Sequence, residues 1–99
     1  MASAPTRPIT ATLAKYPIPI GLISALYRAD ADEFDRMVAA MPEYGRARVA
    51  AYCAENARLQ PLGLKVARTC EEAALIRAAG AAVGASLFTR SRVEAATAH

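Results

Sequence analysis

A chain of 99 residues holds one domain, and with 55% hydrophobic residues it is a folding chain and not a disordered one. Alanine accounts for 25 of the residues. Each buries little area, so the core gains less than one built on Leu and Phe, and closely approaching helices or self-association are expected to make up the difference. The net charge of +3 is divided along the chain: residues 30–45 set five acids against Arg36, and residues 46–70 set five bases against Glu55. That alternation suits antiparallel neighbours facing each other, and it lacks the single continuous basic face of a nucleic-acid binder.

Residues 1–15 read as a disordered tail, with Pro5 and Pro8 among Ser, Thr and Ala. No secretory or organellar leader is convincing there, and cytoplasmic residence is the expectation. The helical domain is expected over 16–90. It opens with Tyr16-Pro-Ile-Pro-Ile, an extended segment that would lie across the helices and bury Ile18 and Ile20. A short helix over 21–28 follows, with Ile23, Leu26 and Tyr27 facing inward.

Asp30 and Asp32 are good N-caps, and Asp30 with Glu33 has the spacing of a capping box. The helix they start carries Phe34, Met37, Val38 and Met41 at i, i+3, i+4, i+7, one apolar stripe. Pro42 ends it and suits the first position of the next helix. That next helix, about 43–59, is the expected centre of the fold. Val49, Tyr52, Cys53, Asn56 and Leu59 share one stripe on it. Asn56 is the polar member, read either as a buried, backbone-bonded core residue or as a register-setting contact between subunits.

At Pro61 the long helix either kinks or yields to a new helix, and helix is expected through Arg68. Thr69-Cys-Glu-Glu72 matches a capping box, from which a last helix would run from 70 to about 89. Residues 91–99 read as a frayed end. Within the last helix, Gly80-Ala-Ala-Val-Gly84 is a GxxxG, whose small residues let a second backbone approach closely. The surrounding apolar run is too short and too charged to span a membrane.

These elements describe an all-α fold, a compact bundle of four to five helices with an extended Pro-containing segment at its N-terminal side. Cys53 and Cys70 have neither CxxC nor zinc spacing and read as reduced, buried thiols. The single His is His99, and no nucleophile–base pair, phosphate-cradling loop, metal set or cofactor motif is evident. By elimination the chain reads as a small non-enzymatic accessory or regulatory protein acting through helix-mediated protein–protein contact, as a homodimer or with another protein. Gly80, Val83, Gly84, Leu87 and Asn56 are the contact candidates. The alternative is a helix-turn-helix-like DNA-binding regulator, with Arg46, Arg48 and Arg58 reaching the nucleic acid.

Overall fold

A computed structural model describes residues 18–97, with side chains for 18, 19 and 21–93. The expected tail 1–15, with Tyr16, Pro17 and the last two residues, lies outside the described residues. Six α-helices follow in order: α1 Ile20–Arg28, α2 Ala31–Ala39, α3 Glu43–Ala54, α4 Gln60–Ala67, α5 Glu72–Ala79 and α6 Ala81–Thr97. A 3₁₀ turn, Ala57–Leu59, precedes α4, and no strand occurs among the described residues. Among the described residues the fold is therefore all-α, with six helices rather than four to five.

The difference comes from two breaks, one earlier than the kink or new helix expected at Pro61 and one inside the segment expected as a single last helix. The first is at Glu55–Asn56. Pro61 has no N–H and would clash with the carbonyl four residues back, so a helix cannot pass through it undisturbed. The chain turns early instead. Asn56 takes an extended conformation, φ −130° and ψ 116°, and its side-chain oxygen accepts from the Arg58 N–H at 3.0 Å. The central helix thus ends at Ala54, not near 59, and Pro61 falls in the first turn of α4. Asn56 is exposed and caps the 3₁₀ turn, so the reading as a buried stripe residue is corrected.

The second break is Gly80, with φ +95°, a backbone state that side chains with a Cβ rarely adopt. It ends α5 and lets α6 fold back onto it. Of the GxxxG pair, Gly80 makes the turn and Gly84 makes the contact. A Cβ on Gly84 would lie 2.5 Å from the Ile76 Cα and 2.5 Å from its N. The two helices therefore meet backbone to side-chain-free backbone, within one subunit.

Core placement follows from the same economy of size. On α3, Ala47, Val49, Ala50, Ala51 and Cys53 are all buried, and this helix packs against α4, α5 and α6. Gly63 brings α4 onto it, where a Cβ would sit 2.8 Å from the Cys53 Cβ. Leu62, Leu64, Val66, Leu75 and Leu87 fill the remaining space. At the N-terminal side, Asp30 caps α2 by accepting from the Glu33 N–H at 2.8 Å, and Phe34 and Val38 are buried as the stripe requires. Ile18 is buried too, while Pro19 holds polyproline-like angles of −59° and 134°.

These close approaches give a graded test. Gly84→Ala is expected to destabilise by about 3 kcal/mol or to prevent folding, because the methyl meets backbone that cannot move aside. Gly63→Ala should behave similarly but less severely, since its nearest neighbour, the Cys53 Cβ at 2.8 Å, is a single close atom, whereas Gly84 faces three backbone atoms at 2.5, 2.5 and 2.7 Å. Gly21→Ala, with nothing within 4 Å, should instead gain about 0.5 kcal/mol from reduced unfolded-state freedom. Urea denaturation followed by circular dichroism measures all three.

Candidate functional site

Three of the charged side chains singled out in the sequence are committed to different tasks. Arg46, one turn into α3, reaches the loop between α4 and α5. Its Nε donates to Thr69 Oγ1 at 2.9 Å, and its two terminal nitrogens donate to the Thr69 and Met41 carbonyls. Arg48 lies over the Tyr44 ring, 4.6 Å from its centroid. Arg58 is exposed on the 3₁₀ turn. α3 itself is the core helix, so the element that would have to enter a DNA groove is enclosed by three others. Arg46 and Arg48 are thus half-buried and engaged within the subunit, and Arg58 is exposed on a separate element.

The α4–α5 loop is held from both sides. Opposite Arg46, Arg92 of α6 donates to the Ala67 carbonyl at 3.0 Å and to the Cys70 carbonyl at 2.9 Å, with its plane 4.1 Å over Phe88. Cations at the C-terminus of α4 meet the negative end of its dipole. Across the loop the Glu43 carboxylate accepts from the Glu71 N–H at 2.7 Å, at the start of α5. The expected capping box at Thr69 is thus replaced. Thr69 Oγ1 donates back to the Val66 carbonyl at 2.7 Å, and a residue 28 positions away does the capping. Gln60 makes a comparable bridge, donating to the Ala54 carbonyl at 3.3 Å and accepting from Arg90 at 3.4 Å.

Both cysteines are free and buried. Burial pushes the Cys53 thiol up to about 12. Burial raises Cys70 too, against the opposing pull of the Thr69 hydroxyl and Arg46. Both stay protonated thiols at neutral pH, which deprives them of nucleophilic character. Among the described residues no group of three or more His, Cys, Asp or Glu side chains could hold a metal ion. No described helix is long and apolar enough to cross a membrane.

Of the predicted contact residues, Gly84 and Leu87 are buried inside the subunit, Val83 is 45% exposed, and Gly80 and Asn56 are at the surface. Two of the five therefore lie inside the subunit and three at its surface. A different set of residues lines a concave part of the surface. α1 and the 3₁₀ turn form the walls of a shallow trough made of two adjoining hollows. One, of about 300 Å³, is lined by Ile23, Ser24, Tyr27, Arg28 and Leu59. The other, of about 440 Å³, is lined by Tyr27, Asn56, Arg58 and Leu59. Tyr27 and Leu59 are common to both. Tyr27 is 63% exposed, contrary to its expected inward orientation.

The reason lies in the wheel of α1. Leu26 sits at the centre of the buried arc, between Leu22 and Ile23, and Tyr27 falls about 100° from it. Leu59 was assigned to the buried stripe of a longer helix, and the break at Asn56 carried it and Arg58 to this side instead. The competing apolar pairs 22/26 and 23/27 on α1 were the available sign that one of them would be left outside.

A third hollow, of about 330 Å³, lies between α2 and the end of α4, lined by Ala31, Phe34, Asp35, Lys65, Arg68 and Thr69. Its charges are mixed, and the Lys65 ammonium is occupied 4.5 Å over the Phe34 ring. Among the described residues, the fold and surface together define a small all-α protein with an internally braced core and a trough that sets Ile23, Tyr27 and Leu59 beside Arg28 and Arg58. No protein family model matches this chain, and neither a curated protein nor a solved structure resembles it significantly.

Two measurements check the internal assignments. Arg92→Met keeps the bulk but strands two carbonyls, and should lower unfolding free energy by about 2 kcal/mol. For Cys53 the sign follows from the raised value. The unfolded chain loses the thiol proton near the ordinary 9.0 while the folded one holds it to about 12. The contribution is therefore complete below pH 9 and is lost as pH rises through that window. Stability of the native chain should fall more steeply above pH 9 than that of Cys53→Ala, as read by denaturant titration at successive pH values.

Proposed function

We propose that this chain is a small accessory protein that works by holding a partner protein in the trough between α1 and the Ala57–Leu59 turn. The observation that carries the reading is Tyr27, which stands 63% exposed beside half-buried Ile23 and Leu59, on the wall between two hollows. A tyrosine in that setting offers a large rigid apolar surface at small entropic cost, the kind of residue on which binding energy concentrates. Scattered surface hydrophobics need no explanation, but a concave group of them with polar edges is the usual form of a contact site.

The trough takes over the role first given to the Gly80–Leu87 stretch. Gly84 and Leu87 are already used against α5 and the core. A partner could not reach them without opening the subunit. The helix-mediated part of the expectation is kept, since α1 supplies one wall of the trough.

A photo-crosslinking amino acid placed at position 27 tests the proposal in the cells that naturally make the protein. A discrete adduct is expected from position 27, and none from position 36, which is exposed on α2. An adduct of twice the chain's own mass identifies a second copy as the partner. Equal, diffuse labelling from both positions, or none from 27, overturns the reading.

A further inference from the structure

Resting on the trough as the binding face, we infer that its occupant is an acidic amphipathic helix of another protein, which sets apolar side chains about one turn apart into the two hollows. The lining is one-sided in charge. Arg28 and Arg58 stand at its edges with Ser24 and Asn56, and no carboxylate contributes to either hollow. Glu55 precedes Asn56 but does not line the trough. An apolar floor between two cations selects a ligand that brings apolar anchors with carboxylates flanking them. Tyr27 and Leu59 are common to both hollows, so the floor offers two adjoining places for apolar side chains, and neighbouring side chains on one helix face come in such pairs.

The chain itself does not supply such a ligand among its described residues. Its exposed acids with described side chains lie on α2 (Asp32, Glu33 and Asp35), at the start of α5 (Glu71, Glu72) and in loops (Asp30, Glu55), while Glu43, beside Tyr44 on α3, is half-buried and accepts from the Glu71 N–H. Its exposed large hydrophobics are Tyr27, Tyr44, Val83 and Val93, none of them on α2 or α5. Acid and anchor are therefore on separate elements, and a second copy could present one or the other but not both on the same helix face. A partner of different sequence carries them together.

The test uses the full chain and two labelled synthetic peptides, followed by fluorescence polarisation. One peptide is a helix with Leu at i, i+3, i+4 and i+7 and Glu at the flanking positions. The other keeps every Leu and replaces each Glu by Lys. The acidic peptide is expected to bind at least about tenfold more tightly at low salt, with the gap closing as salt shortens the reach of the charges. The double variant Arg28→Glu, Arg58→Glu, whose sites are at the surface, should keep its circular dichroism spectrum and reverse the preference. Equal binding of the two peptides overturns the acidic assignment while leaving the trough as a protein-binding face. Binding of neither peptide, with a position-27 adduct still formed, overturns the inference alone; binding of neither and no adduct removes both readings. Sedimentation as a dimer that Tyr27→Glu dissociates places a second copy in the trough and overturns the inference as well.

Discussion

Backbone-to-backbone proximity is the constraint from which the rest of this fold follows. Where α6 crosses α5 and α4 crosses α3, a glycine removes the side chain that would otherwise set the spacing, and at both points a single methyl would meet an occupied position. The alanines of α3 extend the same principle along the central helix. Ala47, Ala50 and Ala51 have essentially no exposed surface, so neighbours approach it from several sides. A core of this kind gains modestly from the transfer of each side chain out of water and more from dense contact between well-fitted surfaces. It gives up adaptability in return, since there is little side-chain volume to rearrange around a misfit.

Tight crossings bring short loops, and short loops strand polar backbone groups at helix ends. The fold meets this with long-range side chains rather than local caps. Arg46 and Arg92 approach the α4–α5 loop from opposite helices and satisfy the Thr69, Ala67 and Cys70 carbonyls, and Glu43 takes the Glu71 N–H. Gln60 does the same between the end of α3 and α6. These bonds link helices 20 or more residues apart in most cases, so they contribute to tertiary specificity as well as to capping. They also explain the partition of charge along the chain. Part of the basic content between residues 46 and 70, and Arg92 beyond it, is structural. The rest faces solvent, Arg28 and Arg58 among it.

The helical class, the Asp30 cap and the Phe34/Val38 stripe were legible because each depends on residues within one or two turns. The same locality explains the errors. Periodicity across Pro61 is real in the sequence, as Leu59, Leu62 and Val66 keep helical spacing, but spacing does not reveal that the chain leaves the helix at Asn56 and resumes it at Gln60. Thr69 with Glu72 has the letters of a capping box, yet a residue that already bonds Val66 and Arg46 is not available to cap. The close approach read from Gly80 and Gly84 occurs at Gly84 alone, since a Cβ on Gly80 would meet nothing within 4 Å. That the approach is within the subunit depends on Gly80 adopting φ +95° and reversing the chain, which two glycines in a helical context do not announce. The trough was least legible of all, since it joins residues 23–28 to residues 56–59 through a break that the pattern concealed.

The small-residue core and the apolar trough are physically related. A helix nine residues long offers the core one arc, and where neighbouring helices sit close, that arc is narrow. On α1 the arc has room for Leu26 with Leu22 and Ile23 at its margins, and the bulkier Tyr27 falls beyond it. The break at Asn56 then sets Leu59 on the same side, half-buried, against that margin. Apolar surface that does not fit a tightly closed interior is concentrated where two elements meet at an angle, and a concave site results without any residue having been withdrawn from the core. On the proposed reading, changes at Ser24, Arg28 or Arg58 alter the edge of the trough while leaving the glycine crossings, the arginine braces and the Asn56 cap untouched, so specificity and stability would reside largely on different sets of side chains.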